Sequence, residues 1–376
     1  MRFLYVAPRY HTNQIPIMKG LKENGHEVKF FSHYAGRIED YTYVEPEVIG
    51  YSVIYRIIDD IYVKILHKND PKAADKKLLR GFPPVFRLNR KLKEYCPDMV
   101  IIRERSVYSM VTYLLCRIHH YPAILYNQSP VYEEVKHDFM HRIVRKLTPR
   151  IRMTPVMGKP GKGREKMPDT FFVPFVMDLP QLPQNKEYCH EDTVHIFTVG
   201  KYEKRKNLLM MTEIVHQLLQ EYPIHLTIAG ECSTEFHKNY FENLKDYIES
   251  HQLQGNVTLL QNLNRKEMED EYRKADLFVL PSTLEPASIS QLEAMAFAVP
   301  VICSDTNGSA CYVEEGHNGF LFKDNDKEDL QRAVEKSIQS PKMLETMGKN
   351  AYQDVKEKYQ FQNYFHGLEA CMQCLK

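Results

Sequence analysis

The chain has 376 residues, of which 43% are hydrophobic and 26% charged, and its formal net charge is +1. This length exceeds one ordinary core and suits two domains, and the composition is that of a globular protein. No apolar run approaches the roughly 20 residues needed to span a bilayer, so no transmembrane helix is expected. Residues 1–185 carry 30 Lys and Arg against 19 Asp and Glu, whereas the remainder carry 20 against 30. This asymmetry suggests that the first half faces an anionic surface or acceptor.

In the first half, short apolar runs alternate with segments of helical periodicity. Strand patterns occupy 2–7, 27–32, 99–103, 123–127 and 171–175. Helical patterns occupy 16–23, 51–66, 73–95 and 106–119, and the segment 159–169, rich in Gly, Pro and charge, is expected to be a loop. Because a strand, a loop, a helix and a second strand follow one another within about 30 residues, the pattern predicts βαβ units with parallel strands.

The second half begins its own alternation after a Pro-rich linker at 179–186. Its strand patterns are 194–199, 224–229, 257–260, 276–280 and 299–303. Its helical patterns are 207–220, a segment ending near 252, 265–274, a short helix after Ser288, and the region from 327 to the end. We therefore expect an α/β protein with two doubly wound domains facing a cleft. The predicted domains are 1–185 and 186–376, with the C-terminal helix as a candidate to pack back onto the first.

The cysteines and the first residues both indicate a reducing compartment. Eight cysteines are scattered without a regular disulfide framework. The opening apolar run is shorter than the core of a secretory signal and is interrupted at Pro8, so it is better explained as a buried first strand. A cytoplasmic location is expected.

Two glutamates separated by seven residues, Glu285 and Glu293, form the most informative motif. The first lies in a loop after the 276–280 strand, and the second lies inside the following helix. Ser288 and Gln291 have the spacing of a capping box that begins this helix. Glu293 lies beside an apolar stripe, where a carboxylate needs partners such as ligand hydroxyls. The free amides at the start of the helix are a candidate phosphate site.

The loop after the 194–199 strand is the second candidate site. It begins at Gly200 and carries Lys201, Lys204, Arg205 and Lys206 before the next helix. Cations held there can stabilise a departing diphosphate more in the transition state than in the ground state. A basic loop alone is more often a solvated surface, so this interpretation depends on the glutamate motif.

The run from Pro281 through Val301 to the 318–322 segment resembles the signature of the group 1 (family 4) glycosyltransferases. The shared pieces are a Pro-Ser strand end, a Glu, seven residues, Glu-Ala-Met-Ala, a Pro-Val, and a later Asn-Gly. The resemblance is strong over about 194–325 and weaker over 1–185. It implies the GT-B fold and a retaining, metal-independent hexosyltransferase that uses a UDP- or GDP-linked sugar, with no cofactor.

The resemblance also implies roles for individual residues. Glu285 is expected to contact donor-sugar hydroxyls and Glu293 the nucleotide ribose, while Lys201 and Lys206 bind the diphosphate and act with Glu285 in catalysis. The remaining donor-binding positions are backbone groups: Gly200, Ala287, Ser288 and Ile289. Asp324 to Asp326 mimics the metal motif of a different glycosyltransferase fold, and a helix-capping loop is the better explanation.

The chain also departs from the family pattern. Residues 8–14 replace the glycines that usually follow the first strand, and Ala298 replaces another usual glycine. A histidine often ends the strand at 123–127, so Asn127 or Gln128 would have to make its contact. These two residues and His11 are the acceptor-side candidates.

We therefore expect transfer to a hydroxyl acceptor in the synthesis of a cell-surface glycan: capsule, lipopolysaccharide or exopolysaccharide. A basic amphipathic helix around Arg142, Arg145 and Lys146, extending towards Arg150 and Arg152, could place the first half on the anionic inner face of a membrane. A solvated helix face explains it equally well. No nucleic-acid partner is expected.

Two alternatives remain at this point. The first is a non-catalytic subunit that binds a nucleotide sugar, suggested by the altered loop at 9–14. The second is a dinucleotide-dependent oxidoreductase, although Gly158 to Gly163 has the wrong spacing and no preceding strand. The donor sugar and base, the acceptor and the oligomeric state cannot be deduced from the sequence.

Overall fold

The computed structural model describes residues 1–36, 40–61, 73–103, 105–134, 139–182 and 186–375. The chain separates into two compact units. Unit 1 comprises Met1–Val176 and Phe361–Lys376, and unit 2 comprises Met177–Gln360. The sequence places this boundary at 185/186, inside a predicted linker of which residues 183–185 lie outside the described part.

Unit 1 is built on a parallel sheet with the strand order β3-β2-β1-β4-β5-β7-β9. The strands of this unit are β1 (Arg2–Val6), β2 (Glu27–Ser32), β3 (Glu47–Val48), β4 (Met99–Arg103), β5 (Ala123–Tyr126), β6 (Tyr132–Glu134), β7 (Arg152–Thr154), β8 (Arg164–Lys166) and β9 (Thr170–Phe172). β6 and β8 pair antiparallel as a separate ribbon. All five residues of β4 are buried, as expected for a central parallel strand covered on both faces.

Helices cover both faces of this sheet. The helices of this unit up to residue 176 are α1 (Ile15–Glu23), α2 (Val53–Ile61), α3 (Ala73–Arg80), α4 (Val85–Tyr95), α5 (Val107–Ile118) and α6 (Phe139–Lys146). One core contains Phe3, Tyr5 and residues of α1, and the other contains Leu4, Val6 and residues of α4 and α5. Because successive residues of β1 point to opposite faces, one strand serves both cores.

Three predictions for unit 1 need correction, and a fourth is tested only in part. The helix predicted at 73–95 is two helices, because Pro83 and Pro84 interrupt the backbone hydrogen bonding between α3 and α4. The loop predicted at 159–169 contains the strand β8. α6 ends at Lys146, so the basic helix does not extend to Arg150 and Arg152. Of the helix predicted at 51–66, residues 62–66 lie outside the described part, as does the Arg142 side chain.

Unit 2 has a second parallel sheet with the order β12-β11-β10-β13-β14-β15. Its strands are β10 (Val194–Val199), β11 (Ile224–Gly230), β12 (Val257–Gln261), β13 (Leu277–Leu280), β14 (Val301–Ser304) and β15 (Gly319–Phe322). Its helices are α7 (Leu208–Leu218), α8 (Glu235–Ser250), α9 (Arg265–Lys274), α10 (Ser290–Ala296), α11 (Lys327–Ile338) and α12 (Pro341–Lys358). Asp326 caps α11 by accepting a hydrogen bond from the Asp329 amide at 3.0 Å, which confirms the capping role expected for this loop.

The strand order of unit 2 reverses between β10 and β13, which are neighbours in the sheet. In doubly wound sheets, the connections on either side of such a reversal leave towards opposite faces and open a crevice at the carboxyl ends of the two strands. Gly200 follows β10 and Pro281 follows β13. Both loops predicted to bind a ligand therefore begin at this crevice.

After Gln360 the chain returns to unit 1 as α13 (Phe361–Gln373). Tyr364, Leu368 and Cys371 are buried in the core against α1 and the first sheet. The Tyr364 and Tyr5 hydroxyls share a buried hydrogen bond of 2.8 Å. Among the described residues, no helix combines the length and the apolarity needed to traverse a bilayer.

Candidate functional site

The two loops at the crevice of unit 2 are tied together by backbone groups. The Thr283 amide donates to the Arg205 carbonyl at 2.9 Å. The Asn207 side-chain amide donates to the Pro281 carbonyl at 3.0 Å. Asn207 itself has a φ of 50°, a left-handed conformation that asparagine tolerates better than most residues. These bonds hold the basic loop against the glutamate loop.

Lys206 and Glu285 form an ion pair where the loops meet. The Lys206 ammonium donates to Glu285 Oε2, and the two side chains are only 10% and 12% exposed. Arg205 Nη1 lies 3.1 Å from the same oxygen, so two cations share one carboxylate oxygen. The lysine stem packs against Gly200, where a Cβ would lie 3.0 Å from Lys206 Cδ. The absence of a side chain at Gly200 thus makes room for the lysine that reaches the glutamate.

A close backbone contact fixes the Glu285 loop from behind. The Gly308 amide donates to the Glu285 carbonyl at 2.9 Å. A Cβ on Gly308 would lie 1.6 Å from the Pro286 carbonyl oxygen, a distance that backbone atoms cannot accommodate without moving. Leu284, just before the glutamate, has a φ of 53°. The position of Glu285 therefore depends on a glycine 23 residues further along the chain.

Lys201 does not share the carboxylate partner of Lys206. Its ammonium lies 3.0 Å from Glu231 Oε2 at the end of β11, and both side chains are about half exposed. Because this pair is solvated, it contributes little stability, and the lysine can change partner at low cost.

The start of α10 differs from the predicted capping box. The helix begins at Ser290, and the residue before it makes no side-chain capping bond. Ser288 instead exchanges two 2.8 Å hydrogen bonds with Ser309, whose hydroxyl accepts from the Ser288 amide and donates to its carbonyl. The Gln291 side chain donates to the Ser309 carbonyl at 2.6 Å. The Ser288 amide, one of the predicted phosphate donors, is therefore already bonded, whereas within the described residues no acceptor is recorded for the amides of Ala287 and Ile289.

Glu293 lies on α10, where the Tyr272 hydroxyl donates to its carboxylate at 2.9 Å. Burial raises the pKa of Glu293, although the bond from Tyr272 and the nearby Arg265 lower it. Tyr272 is itself 2% exposed, among the rings of Phe197 and Phe297. A carboxylate in this setting is stabilised by hydroxyl donors, and a ribose would supply further ones.

Ala298, which replaces the glycine usual in the resembling family, has a φ of 56°. Its carbonyl accepts a 2.6 Å bond from the Tyr188 hydroxyl and lies 3.5 Å from the Lys186 ammonium. Lys186 also donates to the carbonyls of Ala275 at 2.8 Å and Phe297 at 3.1 Å. Burial lowers the pKa of Lys186 to about 7, and the nearby Asp276 opposes this shift.

The acceptor-side candidates lie at the carboxyl ends of strands in unit 1. His11 follows β1, next to β4 at the point where the strand order of this sheet reverses, and precedes a short 3-10 turn. Asn127 and Gln128 follow β5. Asn127 is 7% exposed, and its Nδ2 has no hydrogen-bond partner within the described residues. A buried amide donor of this kind is stabilised by a ligand oxygen.

Sequence reasoning missed the residues that support the site. Ser309 and Tyr272 contact predicted site residues, but each lies about 21 positions from its partner along the chain. No local pattern signals such pairs, since they depend on how separate elements pack. Within the described residues, no group of three or more His, Cys, Asp or Glu is arranged to hold a metal ion.

A comparison with family models adds to this geometry, since the model described as "Glycosyl transferases group 1" matches residues 184–354. Residues 184–354, a little under half of the chain, are thus similar to the group 1 glycosyltransferases. The matched range contains the Lys206 and Glu285 loops and ends within unit 2. This match confirms the resemblance to group 1 glycosyltransferases that the motif indicates.

Curated relatives match about half of the chain. An alpha-1,3/1,6-mannosyltransferase of Homo sapiens is 26% identical over 186 residues, which cover 47% of this chain and 43% of that protein. The capsular polysaccharide biosynthesis glycosyltransferase CapM of Staphylococcus aureus is 27% identical over 207 residues, covering 53% and 51%. The chain thus spans about half the length of the curated relatives it matches.

Solved structures match the whole chain and show its fold. Sucrose-phosphate synthase of Thermosynechococcus elongatus superposes with a TM-score of 0.71 at 14% identity, covering 100% of this chain and 99% of that one. The Anabaena protein HepE, in complex with UDP and glucose, gives a TM-score of 0.70 at 13% identity, covering 99% and 100%. The chain has the GT-B fold, as predicted.

Proposed function

We propose that the protein is a retaining glycosyltransferase that transfers a hexose from a nucleoside diphosphate sugar to a hydroxyl acceptor. The observation that carries this proposal is the buried Lys206–Glu285 pair, held at the strand-order reversal of the group 1 domain. Crevices of this kind bind nucleotides in doubly wound sheets. The pair also supplies the two charges that an activated sugar needs: a carboxylate that accepts hydrogen bonds from hydroxyl groups, and a cation that binds phosphate.

Donor binding would exchange the partners of this pair. The diphosphate takes the Lys206 ammonium together with Arg205, and the sugar hydroxyls donate to the oxygens that Glu285 releases. Neither charge is then left buried without a partner, which avoids the main cost of separating a buried pair. Lys201 can leave its exposed glutamate to join the diphosphate, and Glu293 accepts from the ribose.

The chemical step follows from the position of the cations. The bond between the anomeric carbon and the diphosphate oxygen breaks, and the bond to the acceptor oxygen forms on the same face of the sugar. The acceptor proton passes to the departing phosphate oxygen. Lys206 and Arg205 stabilise the negative charge that grows on the diphosphate, a role that other glycosyltransferases give to a metal. We therefore propose that the reaction is metal-independent.

The donor carries UDP or GDP in this proposal, and the acceptor is a growing cell-surface glycan. The name of CapM, a capsular polysaccharide biosynthesis glycosyltransferase, supports the second part, and the complex of HepE with UDP supports a uridine nucleotide. His11, Asn127 and Gln128 are proposed to contact the acceptor, because the unpartnered Asn127 amide can donate to a hydroxyl oxygen.

We also propose that unit 1 docks on an anionic membrane surface at the cytoplasmic face. The apolar residues of α2 lie at positions that share one side of a helix, and each is more than half exposed: Val53, Ile54, Ile57, Ile58 and Ile61. An exposed stripe of this size is typical of an interaction site. Arg80 of the neighbouring α3 supplies a basic group that favours anionic lipid, whereas Lys77 is paired with Asp59 of α2. This surface replaces the α6 helix as the best membrane contact.

Vesicle binding tests the membrane contact. The protein should co-sediment with phosphatidylglycerol vesicles and less with phosphatidylcholine vesicles, and Ile54→Glu with Ile58→Glu should abolish the binding. If the double variant co-sediments with the vesicles as well as the wild type does, the proposed membrane contact is wrong.

Donor turnover tests the main proposal. The purified protein is incubated with UDP- and GDP-linked hexoses, with and without EDTA, and release of the nucleoside diphosphate is measured. We expect release from one donor, no loss in EDTA, and release at least a hundredfold slower in Glu285→Gln. If a donor binds but is never consumed with any glycan acceptor, the non-catalytic subunit is the correct reading. If no donor binds, both readings are wrong.

A further inference from the structure

Unit 1 contains a cavity of about 400 Å³ that the glycosyl-transfer proposal does not use. It lies against β5, β7 and β9, beside α6 and the loop that follows β4. Four arginines line it: Arg105, Arg145, Arg150 and Arg152. The volume lies within the range of small-molecule sites in proteins.

Arg150 and Arg152 have carboxylate partners among the described residues. Arg150 is 80% exposed at the rim and binds Asp169 through two bonds, of 2.6 and 3.1 Å. Arg152 is 4% exposed and donates to Glu133 at 3.0 Å, to the Thr170 hydroxyl at 3.1 Å and to a carbonyl at 3.0 Å. Glu133 and Asp169 are therefore bonded to these two arginines, and the third carboxylate of the lining is that of Glu134.

Arg105 differs from both. Its Nε is buried and has no hydrogen-bond partner within the described residues, and no ion pair is recorded for its guanidinium. Burial and the charges of Arg152 and Arg145 lower the pKa of Arg105, and the Glu133 carboxylate opposes this shift. A desolvated guanidinium donor without an acceptor costs free energy that a bound anion would recover.

We propose that this cavity binds a phosphate ester, with Arg105 as the anchoring donor. A guanidinium presents parallel N–H groups that match two phosphate oxygens, and Arg152 and Arg145 add positive potential from the cavity wall. The space exceeds that of a phosphate ion, so it accommodates the organic part of the ester as well. The cavity is lined by residues of unit 1 alone, whereas Lys206 and Glu285 belong to unit 2, and the proposal does not depend on the donor proposal.

The test measures thermal unfolding of the full chain with inorganic phosphate, glucose 6-phosphate and glucose. A saturating nucleoside diphosphate is present throughout, so that the crevice in unit 2 cannot bind the added phosphate. We expect the unfolding temperature to rise with phosphate and with glucose 6-phosphate but not with glucose. Vesicles of phosphatidic acid form a second arm, which distinguishes a lipid phosphate from a water-soluble one.

Two variants decide the assignment. Arg105→Met should weaken phosphate binding at least tenfold, while Arg90→Met, which removes an exposed guanidinium that is paired with Glu94 and does not line the cavity, should bind within twofold of the wild type. Without phosphate, Arg105→Met should unfold at the same or a higher temperature, because it removes an unsatisfied buried donor. A marked drop in that temperature would show that Arg105 has a structural role, and an unchanged phosphate effect in Arg105→Met would equally overturn the proposal.

Discussion

The Lys206–Glu285 pair makes a quantitative prediction for stability in the absence of ligand. Both side chains are nearly buried, and Arg205 is a second partner of the glutamate but not of the lysine. Removing one partner of a buried pair costs about 3–5 kcal/mol. Glu285→Gln leaves the Lys206 ammonium without a carboxylate and should cost about 3 kcal/mol. Lys206→Met leaves Glu285 with Arg205, so its cost should be smaller, about 1–2 kcal/mol.

The double variant separates this pairwise energy from other effects of the substitutions. Lys206→Met with Glu285→Gln leaves no unpaired buried charge, so it should be less destabilised than the sum of the single variants by about 1–3 kcal/mol. For a unit of this size, each kcal/mol shifts the unfolding temperature by about 2–4 °C. Calorimetry of the four proteins gives the coupling, with unit 1 as an internal reference if the units unfold separately. If the cost of the double variant equals the sum of the two single costs within about 0.5 kcal/mol, Lys206 and Glu285 do not interact as a buried pair.

Three further predictions concern the backbone and the pH dependence of unit 2. Gly308→Ala should destabilise unit 2 by more than about 2 kcal/mol and abolish nucleotide binding, because its Cβ would overlap the Pro286 carbonyl; Gly255→Ala, with no atom within 4 Å, is the matched control and should be nearly neutral. Ala298→Gly should raise the unfolding temperature by about 2 °C, since a left-handed alanine costs about 1 kcal/mol, and a decrease would contradict the strain. Burial lowers the pKa of Lys186 to about 7 from its usual 10.5, so the unfolded chain binds this proton more tightly between those values. The cost of burying the charged lysine is therefore complete below about pH 7 and disappears above about pH 10.5. The free energy of unfolding of the wild type, measured by urea titration, should rise by about 2 kcal/mol relative to that of Lys186→Met between about pH 7 and pH 9. A constant difference would show that Lys186 keeps its ordinary pKa.

The local part of the site could be deduced from the sequence, whereas its supporting contacts could not. The strands before Gly200 and Pro281 were predictable because buried parallel strands are nearly continuous apolar runs. The two loops then had to meet, since both strands end at the same edge of one sheet. The partner of Ser288 was not predictable: a capping box is a local pattern, and a hydroxyl from a distant loop replaced it.

The errors in unit 1 have a similar origin. Helical periodicity continues across Pro83 and Pro84, but the two prolines end the helix there and override the periodicity. Arg152 was assigned to a basic surface helix from its neighbours, whereas it lies in β7 and is buried by contacts with Glu133 and Thr170. Charge patterns predict exposure on average, and a specific ion pair overrides them.

The most direct test of the central claim is calorimetric titration of UDP and GDP into wild type, Lys206→Met and Glu285→Gln, combined with donor turnover. Lys206→Met should bind the nucleoside diphosphate at least tenfold more weakly, a loss of about 1.4 kcal/mol or more. Glu285→Gln should bind it at least as tightly as wild type, because Lys206 is no longer held by a carboxylate, and should lose turnover. Wild-type affinity in Lys206→Met, together with wild-type turnover in Glu285→Gln, would contradict the claim that this pair recognises the activated sugar.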